Sequence, residues 1–232
     1  MKLGLKGGLY HQTQIKLAYN SNRIEGSRLS EDQTRYIFET NTIDTGPEGL
    51  ANVDDIIETV NHFSCFDYML THAGEDLSED RIKEFHRILK RSTSQERIEW
   101  FRVGEYKSRP NMVGDTTTTA PDQVASAIRE LLADYHSKAR KTLEDIVRFH
   151  YEFECIHPFQ DGNGRVGRII LFKECLKNDI MPFIIDHEHK LFYYRGLQEY
   201  RREKGFLIDT CLAAQDRYEK RVAYFYPDRI QS

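Results

Sequence analysis

Apolar residues recur at three- and four-residue steps along most of this chain, and the segments with this spacing are separated by residues that typically begin or end helices. Such spacing gives each helix one face that packs into a core, so it restricts the chain to a mainly helical fold. The 232 residues allow one domain or two, and no linker-like stretch divides them. We therefore predict one all-α domain of about eight helices.

Capping residues predict where several helices begin. Ser30 and Gln33 have capping-box spacing, Ser78 and Thr142 are typical N-caps, and Pro121 suits a first helical turn. The residues predicted to line the inner faces are Val53, Ile56, Ile57, Val60 and Phe63, then Ile82, Phe85, Ile88 and Leu89, then Val124, Ile128, Leu131, Leu132 and Tyr135, and then Ile146, Phe149, Phe153 and Ile156. Later helices are predicted over Tyr193 to Glu203 and Ile208 to Tyr224.

Two segments do not fit a helix. Asn41 to Gly49 is predicted as a loop, and Arg102 to Gly114 has two glycines, a proline and no helical period, which favours a β-hairpin. The net charge of -4 gives no indication of nucleic-acid or anionic-membrane binding, and no stretch approaches the ~20 apolar residues of a membrane span. The four cysteines lack metal-ligand spacing, so we predict reduced thiols and a cytoplasmic protein.

The run HPFQDGNGRVGR, from His157 to Arg168, has the composition of an anion site. A glycine-rich loop feeding a helix that begins near Gly164 would present free N–H groups and the positive end of the helix dipole, and Gly162 would let phosphate approach the backbone. Arg165 and Arg168 lie three apart on the first helical turn and can neutralise a diphosphate.

Three further side chains of this run can take part in chemistry. Asn163 can donate to a phosphate oxygen, and Asp161 can hold Mg²⁺ between phosphates. His157 is expected at a helix end, because Pro158 disfavours a helical residue before it, and a neutral imidazole there can accept a proton from a hydroxyl. Each piece alone is typical of a helix stop, a turn or a solvated face, but together they indicate phosphoryl or nucleotidyl transfer.

This run resembles the signature of the Fic family, His-Pro-Phe-x-Asp/Glu-Gly-Asn-Gly-Arg-x-x-Arg, and it matches at every specified position. The resemblance implies a Fic/Fido-type helical domain with a small β-hairpin flap, a catalytic core at 49–210 and transfer of AMP from ATP to a hydroxyl of a protein. It implies that His157 is the general base and that Asp161 holds Mg²⁺. It implies that Asn163, Arg165 and Arg168 bind the phosphates, assisted by backbone donors around Gly162 and Gly164. Together with Asp161, these are the nucleotide-binding residues that it implies within the run.

The hairpin and a tyrosine pair complete the nucleotide site that the resemblance implies. Asn111, Met112, Val113 and Gly114 resemble the flap stretch beside the nucleotide, and Tyr193 and Tyr194 resemble a pair near it. A target protein would dock on the flap by main-chain hydrogen bonds, which an exposed strand edge can supply. Pro110 departs from the usual flap sequence. Arg201, seven residues past Tyr194, stands where relatives can have an asparagine at the nucleotide.

A second segment, SNRIEG from Ser21 to Gly26, resembles the family's inhibitory motif Ser/Thr-x-x-x-Glu-Gly/Asn. It implies that residues 1–48 form an N-terminal inhibitory extension, in which a helix over Gln14 to Arg23 ends at Gly26. Glu25 would then offer its carboxylate to Arg168 in place of the γ-phosphate. The interpretations left open are a de-AMPylating hydrolase that uses Glu25, a Doc-like protein kinase, a non-catalytic interaction module, and a possible homodimer.

Overall fold

The computed structural model describes residues 6–46 and 49–227, and within them the chain is mainly helical, with one two-stranded antiparallel sheet. Positions 47 and 48 of the predicted loop at 41–49 therefore lie outside the described residues. The α-helices are α1 (Leu9–Ile24), α2 (Glu31–Thr40), α3 (Val53–Thr71), α4 (Glu79–Lys90), α5 (Val124–Ser137), α6 (Leu143–Ile156), α7 (Asn163–Lys177), α8 (Lys190–Glu199) and α9 (Gly205–Phe225). The strands are β1 (Met112–Val113) and β2 (Thr116–Thr117).

Two compact units make up the described residues. The first combines the described parts of Met1–Phe63 and Met181–Ser232, and the second is Ser64–Ile180, so the division falls within α3. The arrangement as one domain over residues 1–232 stays a prediction.

The unit Ser64–Ile180 contains α4 to α7 and the hairpin. Its helices pack as α6 on α7, α5 on α6 and α4 on α7, around buried aromatic side chains such as Phe85, Phe153 and Phe172. Gly167 lies where α7 approaches α6, since a Cβ at that position would come within 2.5 Å of Glu154 Oε1. The glycine therefore permits the close approach of the two helices that flank the His157 loop.

The other unit contains α1, α2, α8, α9 and the start of α3. Ala18, Leu29, Ile37 and Phe63 form one buried cluster within it. The predicted inner face of α3 is wrong at its first turns, because Val53 is 66% exposed and Val60 is 40% exposed. Apolar periodicity gives the helix there, but not which part of its stripe is covered.

The predicted helix ends are largely confirmed. Ser30 and Gln33 form a reciprocal capping box, and the side chains of Ser78 and Thr142 accept from the first turns of α4 and α6. Gly26 follows α1 with φ +103°, a conformation that glycine adopts without strain. Helices α8 and α9 each begin three residues before their predicted starts.

The position of the hairpin differs from the prediction. The stretch Arg102 to Gly114 contains only the first strand, and β1 pairs with the threonines of β2, with Met112 opposite Thr117 and Val113 opposite Thr116. Gly114, at φ +56°, lies in the connecting turn, so it does not end the hairpin. Positive φ in a two-residue turn matches the strand twist, and threonine suits the strand that follows.

Candidate active site

The segment His157 to Arg168 joins α6 to α7. Helix α6 ends at Ile156, and His157 takes a left-handed conformation (φ 52°, ψ 60°) in which its N–H still donates to Phe153 O at 2.9 Å. Gly162, at φ +80°, is the N-cap of α7, which begins at Asn163. The predicted glycine-rich loop at a helix N-terminus is therefore confirmed, and free N–H groups of a helix start favour anions.

Asn163 braces this loop from inside. Its side-chain Oδ1 accepts from Phe159 N at 2.7 Å, and its Nδ2 donates to Phe159 O at 2.8 Å. The residue is only 2% exposed. Asn163 thus fixes the backbone of the turn, while its binding of phosphate stays a prediction.

His86 of α4 supports the loop from the other side. Its ring stacks on Phe159, with centroids 4.0 Å apart and planes within 1°. Gly104 N donates to His86 Nδ1 at 2.9 Å, so the ring proton is on Nε2, which donates to Asp161 O at 3.2 Å. Burial, aided by the Lys90 charge, lowers the pKa of His86 to about 3, so this ring is neutral.

Asp161 is surrounded by cations. Lys90 Nζ lies 2.7 Å and Arg165 Nη2 lies 3.3 Å from the same oxygen, Oδ2. Burial alone would raise the pKa of the Asp161 carboxyl, but the two cations outweigh it and hold that pKa well below its usual range. Asp161 is therefore a carboxylate at any ordinary pH.

The two arginines of the motif do not form a solvated helix face. Arg165 is 3% exposed and Arg168 is 4% exposed, on the first turns of α7. Burial, together with the Arg168 charge, lowers the pKa of His150 to about 3, so the imidazole beside this arginine is neutral. Positive charge is therefore concentrated at the start of α7, where phosphate oxygens could accept hydrogen bonds from the arginines.

Glu154 lies next to the Nδ1 side of the His157 ring. Nδ1 lies 3.4 Å from Glu154 O and 4.0 Å from Glu154 Oε2. When Nδ1 holds the proton, Nε2 has the lone pair that a general base needs. The side chain is 19% exposed, which permits access of a hydroxyl group.

Asp161 also has the chemistry of a magnesium ligand. Across residues 6–46 and 49–227, no three His, Cys, Asp or Glu side chains converge as a metal site. A single carboxylate suits Mg²⁺ all the same, because this ion commonly takes one or two carboxylates together with substrate phosphates and water. Both cation contacts of Asp161 are to Oδ2.

The base of the hairpin lies against the motif. Asn111 Nδ2 donates to Phe159 O at 3.0 Å, and Arg109 N donates to Gln160 Oε1 at 3.3 Å. Beyond this base, Met112 is 60% exposed and Val113 is 50% exposed. The predicted flap residues thus begin next to the catalytic loop and continue as exposed strand.

The remaining predicted site residues belong to the other unit. Tyr193 is buried, and the Tyr194 hydroxyl donates to Ile24 O, the last carbonyl of α1, at 3.0 Å. Ser21 is buried within α1, while Glu25 and Gly26 follow its end and are exposed. The pairing of Glu25 with Arg168 and the nucleotide contacts of both tyrosines stay predictions.

Sequence reasoning missed the side chains that support the loop from outside the motif. The only local signal in α4 was polar character at buried positions, since His86 and Lys90 share a face with Ile82 and Leu89 and are each 1% exposed. Lys107 and Glu154 gave no comparable signal. The four cysteines all lie in the described residues and none forms a disulfide, as predicted. No helix in the described part of the chain has the length and hydropathy to cross a membrane.

Comparison with known proteins shows which proteins this chain is similar to. The chain is 26% identical over 196 residues to protein adenylyltransferase fic-1 of Caenorhabditis elegans, covering 82% of this chain and 37% of that protein. It is 28% identical over 190 residues to protein adenylyltransferase Fic of Nematostella vectensis, covering 78% and 42%. The chain thus spans less than half the length of these relatives.

Solved structures share the fold. A Fic domain containing signaling protein from Bacteroides thetaiotaomicron superimposes with a TM-score of 0.74 at 24% identity, over 93% of this chain and 82% of that one. A fragment of the Caenorhabditis elegans protein gives 0.71 at 22% identity, over 92% and 64%. Residues 76–174 match the family described as Fic/DOC. The motif on the α6–α7 turn lies within this matched region, which covers less than half of the chain.

Proposed function

We propose that this chain is a protein adenylyltransferase that transfers AMP from ATP to a Ser, Thr or Tyr hydroxyl of a target protein, and to its own hydroxyls. The observation that carries the proposal is the α6–α7 turn, which puts an imidazole at one helix end and a carboxylate with two buried arginines at the next helix start. The names of the relatives agree with this activity.

In this reaction His157 Nε2 accepts the proton of the target hydroxyl. The hydroxyl oxygen forms a bond to the α-phosphorus, and the bond from that phosphorus to the oxygen bridging to the β-phosphate breaks. Pyrophosphate leaves with the electron pair, and its charge is taken up by Arg165, Arg168 and the N–H groups at the start of α7. Mg²⁺ on Asp161 would supply further charge neutralisation to the phosphates.

The exposed strands of the hairpin would hold the target. An extended peptide can pair with a strand edge through main-chain hydrogen bonds, which places little demand on sequence. The base of the hairpin is bonded to Phe159 and Gln160, two and three residues after His157. A hydroxyl on a paired peptide would therefore be presented close to the base.

The experiment uses ATP labelled at the α- or the γ-phosphate. Covalent label from the α position is expected, and His157→Ala should abolish it, whereas His72→Ala, a histidine that lies outside the motif, should leave it unchanged. Label from the γ position alone would mean a kinase. Label from neither position, even with Glu25 replaced by glycine, would exclude both transfer reactions and leave a binding role.

The same proposal includes autoinhibition by Glu25. This residue lies at the C-cap of α1, and the Tyr194 hydroxyl holds the carbonyl immediately before it, so Glu25 has a defined place within its unit. A carboxylate that pairs with Arg168 would occupy the γ-phosphate position and leave ATP misaligned. If the competent state is populated at ~1%, Glu25→Gly should raise transfer about a hundredfold.

Two further variants separate charge from position. Glu25→Gln keeps the length of the side chain and removes its charge, so it should release most of the inhibition. Asp32→Asn removes a comparable exposed charge from α2 and should change nothing. If Glu25→Gly gains transfer and also loses the ability to remove AMP from modified protein, the resting enzyme is a de-AMPylase as well.

A further inference from the structure

Lys107 is a buried cation that is held by neutral oxygens. The residue is 4% exposed, and its Nζ donates to Asn111 Oδ1 at 2.8 Å, Thr118 Oγ1 at 2.6 Å and Ile156 O at 3.3 Å. In the described part of the chain no carboxylate lies within ion-pair distance of it. Burial lowers the pKa of Lys107 to about 8. Burying an ammonium without a counter-charge opposes folding, so its retention needs a compensating role.

The first two oxygens lie on opposite sides of the hairpin. Asn111 precedes β1 and Thr118 follows β2, and they are also joined to each other, since Thr118 Oγ1 lies 3.0 Å from Asn111 O and 2.5 Å from Asn111 Oδ1. Lys107 Nζ reaches both side chains at once. The ammonium therefore joins both sides of the hairpin at its neck, and removing it would weaken the connection between them.

The third oxygen ties that neck to the catalytic histidine. Ile156 O is the last carbonyl of α6, where the helix dipole favours a cation. The backbone N–H of Lys107 also donates to Pro158 O at 2.9 Å. One residue thus binds the carbonyls of the residues on either side of His157, and the first of them belongs to a peptide group that flanks its left-handed Cα.

We propose that Lys107 is a positioning residue that fixes His157 to the neck of the hairpin, so that the base and the target-docking strands keep one relative geometry. The inference rests on the proposed transfer reaction and deepens it. Proton transfer needs the target hydroxyl within hydrogen-bond reach of the imidazole, and an error of about 1 Å in such a geometry can cost about a hundredfold in rate. Lys107 does not touch substrate; it sets where the docked hydroxyl lies relative to Nε2.

The test compares Lys107→Met, which keeps the length of the chain but removes the cation, with Lys107→Arg, which keeps the charge and can still donate. Both are made in the Glu25→Gly background, with Lys177→Met as the control at a surface ion pair. Single-turnover self-modification with α-labelled ATP should fall ten- to a hundredfold in Lys107→Met and recover at least in part in Lys107→Arg. The Kd for ATP should change less than twofold, because the arginines and the α7 N-terminus are untouched.

Hydrogen exchange supplies a readout that does not depend on transfer. Lys107→Met should speed exchange at the Thr118 N–H in the hairpin and at the His157 and Phe159 N–H groups together, by tenfold or more. Faster exchange at Thr118 alone, or an unchanged rate of self-modification, would overturn the proposal. If Lys107→Met does not fold, Thr118→Val removes one of the three acceptors at constant shape, and it should give the same pattern at smaller size.

These readouts also separate the two proposals. If the Glu25→Gly parent incorporates no label, the proposed transfer function is wrong. Hydrogen exchange at Thr118, His157 and Phe159 still tests the role of Lys107, because it does not depend on transfer.

Discussion

The ion pair between Lys90 and Asp161 should respond unequally to the loss of its two members. The Lys90 side chain is 2% exposed, whereas the Asp161 side chain is 38% exposed and also contacts Arg165. Lys90→Met therefore leaves the Asp161 carboxylate with water and Arg165 still able to stabilise its charge. Asp161→Asn leaves a buried ammonium facing a neutral amide.

The magnitudes follow from that asymmetry. A solvent-accessible ion pair contributes ~0–1 kcal/mol, and stranding one charge of a buried pair costs ~3–5 kcal/mol. We expect Lys90→Met to lower the free energy of unfolding by about 1 kcal/mol, and Asp161→Asn by about 3 kcal/mol. The double variant should lose less than the sum, because it no longer buries an ammonium that has lost its carboxylate partner.

Urea unfolding followed by circular dichroism and by the fluorescence of Trp100 measures these differences, provided that the m-value is unchanged. In thermal melts the two single variants should differ by roughly 4–8 °C in Tm. Lys83→Met is the matched control, since Lys83 is on the same helix but has half-exposed partners. Equal losses for both single variants, or a larger loss for Lys90→Met, would refute the account of which charge is buried.

Three further predictions concern Gly167, His86 and Tyr194. Gly167→Ala would place a methyl group 2.5 Å from a carboxylate oxygen of Glu154 on α6, and crowding of ~1–3 kcal/mol should exceed the ~1 kcal/mol gained in helix propensity. Gly74→Ala is the control, because its methyl group meets open space and should not destabilise the protein. Thermal melts of the two variants measure the difference. His86 stays neutral in the folded protein down to about pH 3, whereas in the unfolded chain it binds a proton below about pH 6.5. The free energy of unfolding should therefore fall as the pH drops from about 6.5 to about 3. Urea midpoints measured across this range should fall less steeply for His86→Gln. Tyr194→Phe removes a hydrogen bond of ~1 kcal/mol from the last carbonyl of α1, so it should raise self-modification when Glu25 is present and give no such rise in the Glu25→Gly chain. An equal rise in both backgrounds would separate Tyr194 from the inhibition.

Local signals account for the parts of the site that the sequence predicted. Pro158 ends α6 and Gly162 begins the approach to α7, and both effects act within a few residues, so the sequence alone locates this turn closely. Residues that reach the turn from elsewhere had no such signal. Lys90 contacts Asp161 across 71 residues and Lys107 contacts Ile156 across 49, and no pattern in one sequence reports these distances.

The hairpin shows the same limit in another form. The prediction ends the turn-rich stretch at Gly114, although a glycine at positive φ is equally suited to the centre of a two-residue turn. The four consecutive threonines from Thr116 to Thr119 are the sign in the sequence that a strand follows. β-branched residues after a Gly-Asp pair favour a second strand, and this pairing extends the hairpin beyond its predicted end.

Backbone carbonyls along the loop between α6 and α7 are held by several side chains and by one backbone N–H. Lys107 binds the carbonyls of residues 156 and 158, Asn163 binds that of residue 159, and His86 binds that of residue 161. A loop fastened at so many points is preorganised for charge stabilisation, so inhibition has little scope to act by disordering it. Control by Glu25 should then work by occupying the γ-phosphate position.

This distinction can be measured. Glu25→Gly should raise transfer while hydrogen exchange at the N–H groups of His157 and Phe159 stays within about twofold, because the loop is the same in both states. A large change in exchange at these two amides would mean that Glu25 reshapes the loop instead.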